Sequence, residues 1–138
     1  MLLALAAFQR ETRVLCVSSV WRAPALGTTG PDFINAVVKL ETALSADDLK
    51  SQVLRPIEAK LGRHRSQNKN ATRTIDLDIL IFNDEVIDPH IWDYAHLAVP
   101  LAECFRRLIS PTNKKTISQI STEFQKSTKI YRINLFKG

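Results

Sequence analysis

Asp76 and Asp78 stand two residues apart in an otherwise apolar run, Ile75-Asp76-Leu77-Asp78-Ile79-Leu80-Ile81-Phe82. The run reads as a strand. Side chains alternate across a strand, so both carboxylates point to one face, with Cα atoms roughly 6.5–7 Å apart. Leu77, Ile79 and Ile81 take the opposite face. Two acids on a core strand repel each other and lose hydration, and a bound cation relieves both. Mg²⁺ held through a substrate's phosphates needs only one or two carboxylates, because water and phosphate oxygens complete its octahedron. The competing reading is a pair of solvated acids on an edge strand. Leu80 and Phe82 continue the acid face and argue against it.

The residues just before this run carry the opposite charge. Gly62-Arg63-His64-Arg65-Ser66-Gln67-Asn68-Lys69-Asn70-Ala71-Thr72-Arg73 places four fixed positive charges, Arg63, Arg65, Lys69 and Arg73, beside the acids. Arginine binds phosphate oxygens through charge-assisted, often bidentate hydrogen bonds. A basic run alone is commonly a solvated loop; adjacency to the two acids favours phosphate. The chain has four glycines and no GxxxxGK[ST] segment, so a P-loop backbone cradle is excluded. Phosphates would be held by side chains and metal. Phe33 and Asn35, two apart on a second predicted strand, suit a flat heterocycle: a ring to stack and an amide that donates and accepts. Packing and capping are their more ordinary uses.

The elements that must position these residues follow from periodicity. Residues 1–11 read as a helix, and Val14 to Arg22 as a strand. Residues 23–32 form a Pro/Gly-rich loop, and Phe33 to about Thr42 a second strand whose Ile34, Ala36, Val38 and Leu40 share one face. Ser45 caps a helix with Asp47 and Asp48 in its first turn. Leu49, Val53, Ile57 and Leu61 form its apolar stripe and Gly62 ends it. Pro56 falls inside that stripe and predicts a kink or a shortened helix. Asn83-Asp84 begins a turn, with Val86-Ile87 as a short return strand. Val99 to Leu108 reads as a helix with Pro100 in its first turn. From Ser110 the chain is polar and basic, with Ile130 to Phe136 as a small edge strand.

This order predicts an α+β fold, an antiparallel sheet with helices on one face. The free face would carry Phe33, Asn35, Asp76 and Asp78. At 138 residues the chain suits one principal domain, 1–110, followed by a polar, basic extension, 111–138. A net charge of +5 favours an anionic partner. Cys16 and Cys104 sit in apolar patterns and are expected as reduced, buried thiols of a cytoplasmic protein. No CxxC or CxxH spacing supports zinc. No apolar run approaches the ~20 residues that span a bilayer, and Met1–Phe8 lacks the basic flank of a secretion signal.

Several segments together resemble the 6-hydroxymethyl-7,8-dihydropterin pyrophosphokinase family of folate biosynthesis. They are Ser18-Ser19-Val20-Trp21-Arg22 with Pro24 and Leu26-Gly27, then Asp32-Phe33-Ile34-Asn35-Ala36-Val37. Ile57-Glu58, Leu61-Gly62-Arg63 and Arg65 follow, and above all Arg73-Thr74-Ile75-Asp76-Leu77-Asp78-Ile79-Leu80. The resemblance implies a ferredoxin-like α+β fold and transfer of pyrophosphate from ATP to the pterin's hydroxymethyl oxygen, releasing AMP. It implies two Mg²⁺ ions, bound with ATP, on Asp76 and Asp78. Arg63 and Arg73 would join the two aspartates in catalysis. ATP would be lined by Glu58, Arg63, Arg65, Lys69, Arg73 and Ile79, and the pterin by Ala23, Pro24, Leu26, Phe33, Asn35 and His96.

The departures carry expectations too. Family members begin with a strand and a Gly-Ser-Asn loop before the first helix, whereas this chain starts within that helix. The expected sheet therefore lacks its N-terminal strand. Its true start lies upstream, or the copy is truncated, or another chain completes the sheet; otherwise a monomer is expected. A catalytically impaired relative that binds nucleotide or pterin without turnover is the alternative. The family's later aromatic segment is shortened, with His96, Trp92 or Tyr94 as replacements. An RNA-binding use of Arg63–Arg73 is disfavoured, because the two acids would repel phosphates without a metal. No nucleic acid or membrane partner is expected.

Overall fold

The computed structural model describes residues 12–24, 32–61 and 76–134, with the side chain of Leu61 excepted. The helix expected over 1–11, Leu26 in the first loop and the basic run with Arg63, Arg65, Lys69 and Arg73 lie outside the described residues. The chain divides into two compact units: residues 1–15 with 40–88, and residues 16–39 with 89–138.

Where two long strands were expected, four short ones form: β1 (Arg13–Val17), β2 (Val20–Ala23), β3 (Phe33–Asn35) and β4 (Val38–Glu41). Ser18 causes both breaks. Its backbone N–H donates to Val37 O at 2.8 Å. Its hydroxyl accepts the Val37 N–H at 2.7 Å and donates to Ser19 O at 2.8 Å. A side chain thereby replaces a ladder bond on each strand, as such hydroxyls can. The interruption resets the alternation. Ile34, expected on the core face, is 52% exposed.

In the first unit, Ser45 caps α1 (Ala46–Leu49) by accepting the Asp48 N–H at 3.1 Å. The helix continues through a π-helical turn, Lys50–Leu54, into α2 (Arg55–Leu61). The π turn is the answer to Pro56. An interior proline has no N–H and its ring crowds the carbonyl four residues earlier. Wider i→i+5 bonding, seen as Arg55 N–H to Lys50 O, precedes the ring. Leu49, Val53, Leu54 and Ile57 are buried.

Past the undescribed segment, β5 (Ile81–Phe82) and β6 (Glu85–Val86) form an antiparallel hairpin. Asn83 and Asp84 sit at φ 51° and 65°, the two positive values that a type I′ turn requires and that Asn and Asp tolerate. The ladder is shorter than the sequence predicts. Residues 76–80 are not part of a strand.

The second unit holds the three-stranded antiparallel sheet β3-β2-β7, with β7 at Tyr131–Ile133. Register pairs Trp21 with Asn35 and with Arg132, and Ala23 with Phe33. After a 3₁₀ turn (Pro89–Trp92) comes α3 (Ala95–Cys104), then α4 (Ile117–Ser127). A Thr116/Gln119 capping box starts α4. Helix α3 begins four residues before the expected Val99, and Pro100 lies inside it rather than in its first turn. The core joins Trp21, Ala23, Ala95, Val99 and Ile130, with Phe124 packed against them.

Glu103 ties α3 to β2. Its carboxylate accepts the Ser19 N–H at 3.1 Å, the Ser19 hydroxyl at 2.9 Å and the Trp21 indole N–H at 2.6 Å. Beside it Cys16 and Cys104 form a disulfide, with Cα atoms 5.9 Å apart, so the expected free thiols are corrected. Apolar surroundings suggested burial of each cysteine, and both are only partly buried. Those surroundings did not foretell that 88 residues of chain return one to the other. No helix among the described residues is long and apolar enough to cross a membrane.

Candidate functional site

The acid segment belongs to the first unit. Asp76 and Asp78 are exposed while Leu77, Ile79 and Leu80 are partly covered, so the alternation holds without a strand ladder. The segment is anchored from α2. Glu58 Oε2 accepts the Leu77 backbone N–H at 2.8 Å, bracketing the peptide between the two aspartates. Glu58, expected at the nucleotide, thus holds the acid segment in place. The hairpin closes the other side, where Leu80 O accepts the N–H groups of Ile87 at 2.8 Å and Asp88 at 3.2 Å.

These anchors crowd negative charge around Asp78. Its carboxyl is raised above the ordinary 3.8, first by desolvation, then by Asp76, Glu58 and Asp88, with Lys50 pulling the other way. Desolvation leads although Asp78 keeps much surface in water, because the anchored backbone removes solvent from one side. Among the described residues no three His, Cys, Asp or Glu side chains converge as a metal-binding group. The carboxylates are close enough to feel one another but do not close a cage. Lys50 and Asp88 were absent from the sequence expectation. The Asn83-Asp84 turn was the available signal for Asp88, since a two-residue hairpin returns the chain beside Leu80.

A cluster of rings belongs to the second unit. Phe33 and His96 lie with ring centroids 4.5 Å apart at 44°. His96 stacks on Tyr94 at 5.6 Å and 19°, and Tyr94 on His90 at 4.7 Å and 12°. Asn35 Nδ2 donates to His96 O at 3.2 Å. The expected free sheet face for Phe33 and Asn35 is therefore corrected: both turn toward the first turn of α3. The phase reset at Ser18 is the cause. Ala23, opposite Phe33, is buried, and Pro24 beside it is exposed. Of the expected pterin residues, Phe33, Asn35 and His96 are brought together.

Residues 1–106 match the family described as 7,8-dihydro-6-hydroxymethylpterin-pyrophosphokinase (HPPK). The chain belongs to this family. It is 36% identical over 111 residues to the 2-amino-4-hydroxy-6-hydroxymethyldihydropteridine pyrophosphokinase of Synechocystis sp., covering 75% of this chain and 56% of that protein. The protein of the same name from Haemophilus influenzae is 36% identical over 123 residues, covering 83% and 75% respectively. That from Pseudomonas aeruginosa is 41% identical over 88 residues, covering 62% and 53%. The chain thus spans little more than half the length of two of these relatives. The acid segment 76–78 and the rings of Phe33 and His96 all fall inside the matched range. The core of the second unit extends beyond it, to Phe124 and Ile130.

Proposed function

We propose that this HPPK chain transfers pyrophosphate from ATP to the hydroxymethyl group of 6-hydroxymethyl-7,8-dihydropterin in the cytoplasm, releasing AMP. The substrate oxygen bonds to the β-phosphorus, the bridge oxygen between α- and β-phosphorus leaves with AMP, and the hydroxyl proton goes to solvent. The observation that carries the reading is the acid segment 76–78, held at the Leu77 N–H by Glu58 and presenting two exposed carboxylates, of which Asp78 is raised by its surroundings. Oxygen donors alone, too few to close a cage, suit Mg²⁺ that arrives with phosphates. Asp76 and Asp78 would hold two such ions, which supply charge neutralisation at the phosphates and alignment of the attacking oxygen.

The chain's own groups divide the remaining work. Glu58 keeps Leu77 fixed, so the two carboxylates stay on one side of the backbone. Arg63, Arg65, Lys69 and Arg73 supply fixed positive charge to the phosphates, with Arg63 and Arg73 meeting the charge that develops in transfer. Ile79 borders adenine. Phe33 and His96 face the pterin ring, Asn35 contributes its amide, and Ala23, Pro24 and Leu26 line the edge. No general base is assigned, because a primary alcohol aligned beside the metal-bound phosphates can lose its proton as the new bond forms. Within the C-terminal extension expected over 111–138, Ile130 and Phe124 contribute to the packing around Trp21.

Calorimetric titration tests the binding half. A non-hydrolysable ATP analogue should bind wild type only with Mg²⁺, and Asp78→Ala should weaken it at least tenfold, the loss of one charge-assisted ligand. Equal binding with and without Mg²⁺ would contradict the reading.

A further inference from the structure

Pro100 sits in the middle of α3 and has no N–H to return to the carbonyl four residues earlier, that of His96. That carbonyl receives a side-chain donor instead, Asn35 Nδ2 at 3.2 Å from β3. Residue 96 also carries the ring that meets Phe33 at 4.5 Å. Phe33 and Asn35 alternate on the same face of β3, two residues apart, so one strand addresses both the ring and the backbone of a single helical residue. Trp21, opposite Asn35 in register, is held by Glu103 further along α3. β2 and β3 are therefore each tied to α3, and the Asn35 bond is the one at the ring end.

From this we infer that Asn35 is a positioning residue: through the carbonyl that faces Pro100 in place of an N–H, it sets where the His96 ring lies against Phe33. A proline within the helix creates the acceptor, and the asparagine uses it to couple β3 to α3. The amide has two N–H groups and one oxygen, so a single donated bond leaves the others for a ligand. The ring geometry is a property of the free protein. Only its consequence for pterin binding rests on the function proposed above.

The test reads the free protein first. Proton NMR of the His96 imidazole reports the ring current of Phe33, identified by its loss in Phe33→Leu. Asn35→Asp removes the donor with little change of shape and should move the His96 resonances toward that Phe33→Leu position. Pro100→Ala restores an N–H that can pair with His96 O within the helix. In the Pro100→Ala background the same Asn35→Asp change should move the His96 resonances much less. Unchanged resonances in Asn35→Asp, or the same displacement in both backgrounds, would overturn the inference. Should Asn35→Asp fail to fold, Asn35→Ala, which also removes the donor, gives the same comparison. Binding of 6-hydroxymethylpterin is then titrated separately. Asn35→Asp should weaken it about tenfold, the scale of one hydrogen bond and the ring placement it sets. A moved ring with no pterin binding in wild type would leave the positioning role standing and contradict the function instead.

Discussion

Asp78 is where the electrostatics of the acid segment can be measured without substrate. Its carboxyl is raised above 3.8, by desolvation first and then by Asp76, Glu58 and Asp88 against Lys50. The native state therefore holds the Asp78 proton more tightly than the unfolded chain does. Stability falls as pH rises from 3.8 through the native value, and above it the ionised group is a net cost to the fold. Asp78→Asn, melted without divalent cation, should raise Tm at pH 7 by roughly 1–3 °C, a small gain because solvent screens an exposed side chain. The gain should vanish as pH drops below 3.8. A lowered Tm at pH 7 would show that Asp78 is held by a partner rather than strained by its neighbours. The residue types and the spacing of this pair were legible in the sequence, because two acids in an apolar run are conspicuous. Glu58's hydrogen bond to Leu77 was not. It depends on α2 meeting a segment 19 residues away, which no local pattern encodes.

At the scale of elements, the sequence was readable wherever backbone chemistry is local. Ser45 as a cap, Pro56 as a disturbance and Asn83-Asp84 as a turn all act within a few residues, and each is found where expected. The form of the Pro56 disturbance, a π turn, could not be read. Several geometries relieve the same clash. Strand phase was misread for a different reason. Ser18 and Val37 exchange bonds across 19 residues, and that exchange splits both strands. The turn offers a quantitative check. Asp84 occupies a positive-φ position that costs glycine nothing, so Asp84→Gly should stabilise the hairpin by about 0.5–1 kcal/mol. Urea unfolding at unchanged m-value would measure it. No gain would mean that the Asp84 side chain compensates for its backbone.

For the molecule as a whole, family similarity and physical core end at different residues. The HPPK match closes at 106, while the core around Trp21 includes Ile130 and receives Phe124. The polar, basic composition of 111–138 concealed this, because α4 spends few residues on its buried stripe, Ile117 and Ile120 with Ser121. Ile130→Ala should cost about 2–4 kcal/mol, the range for truncating a buried aliphatic side chain. Thermal or urea melts read that loss directly. A cost below about 0.5 kcal/mol would mean that the C-terminal strand is an ornament to the fold. The acid segment and the ring cluster belong to separate units, and only turnover reports on both at once. The deciding measurement is AMP production from ATP by the purified chain, with Mg²⁺ and 6-hydroxymethyl-7,8-dihydropterin added and withheld in turn. The account predicts AMP and a diphosphorylated pterin in equal amounts, only when all are present, and none with Asp78→Ala. Binding of both substrates without AMP, or release of ADP in its place, would contradict it.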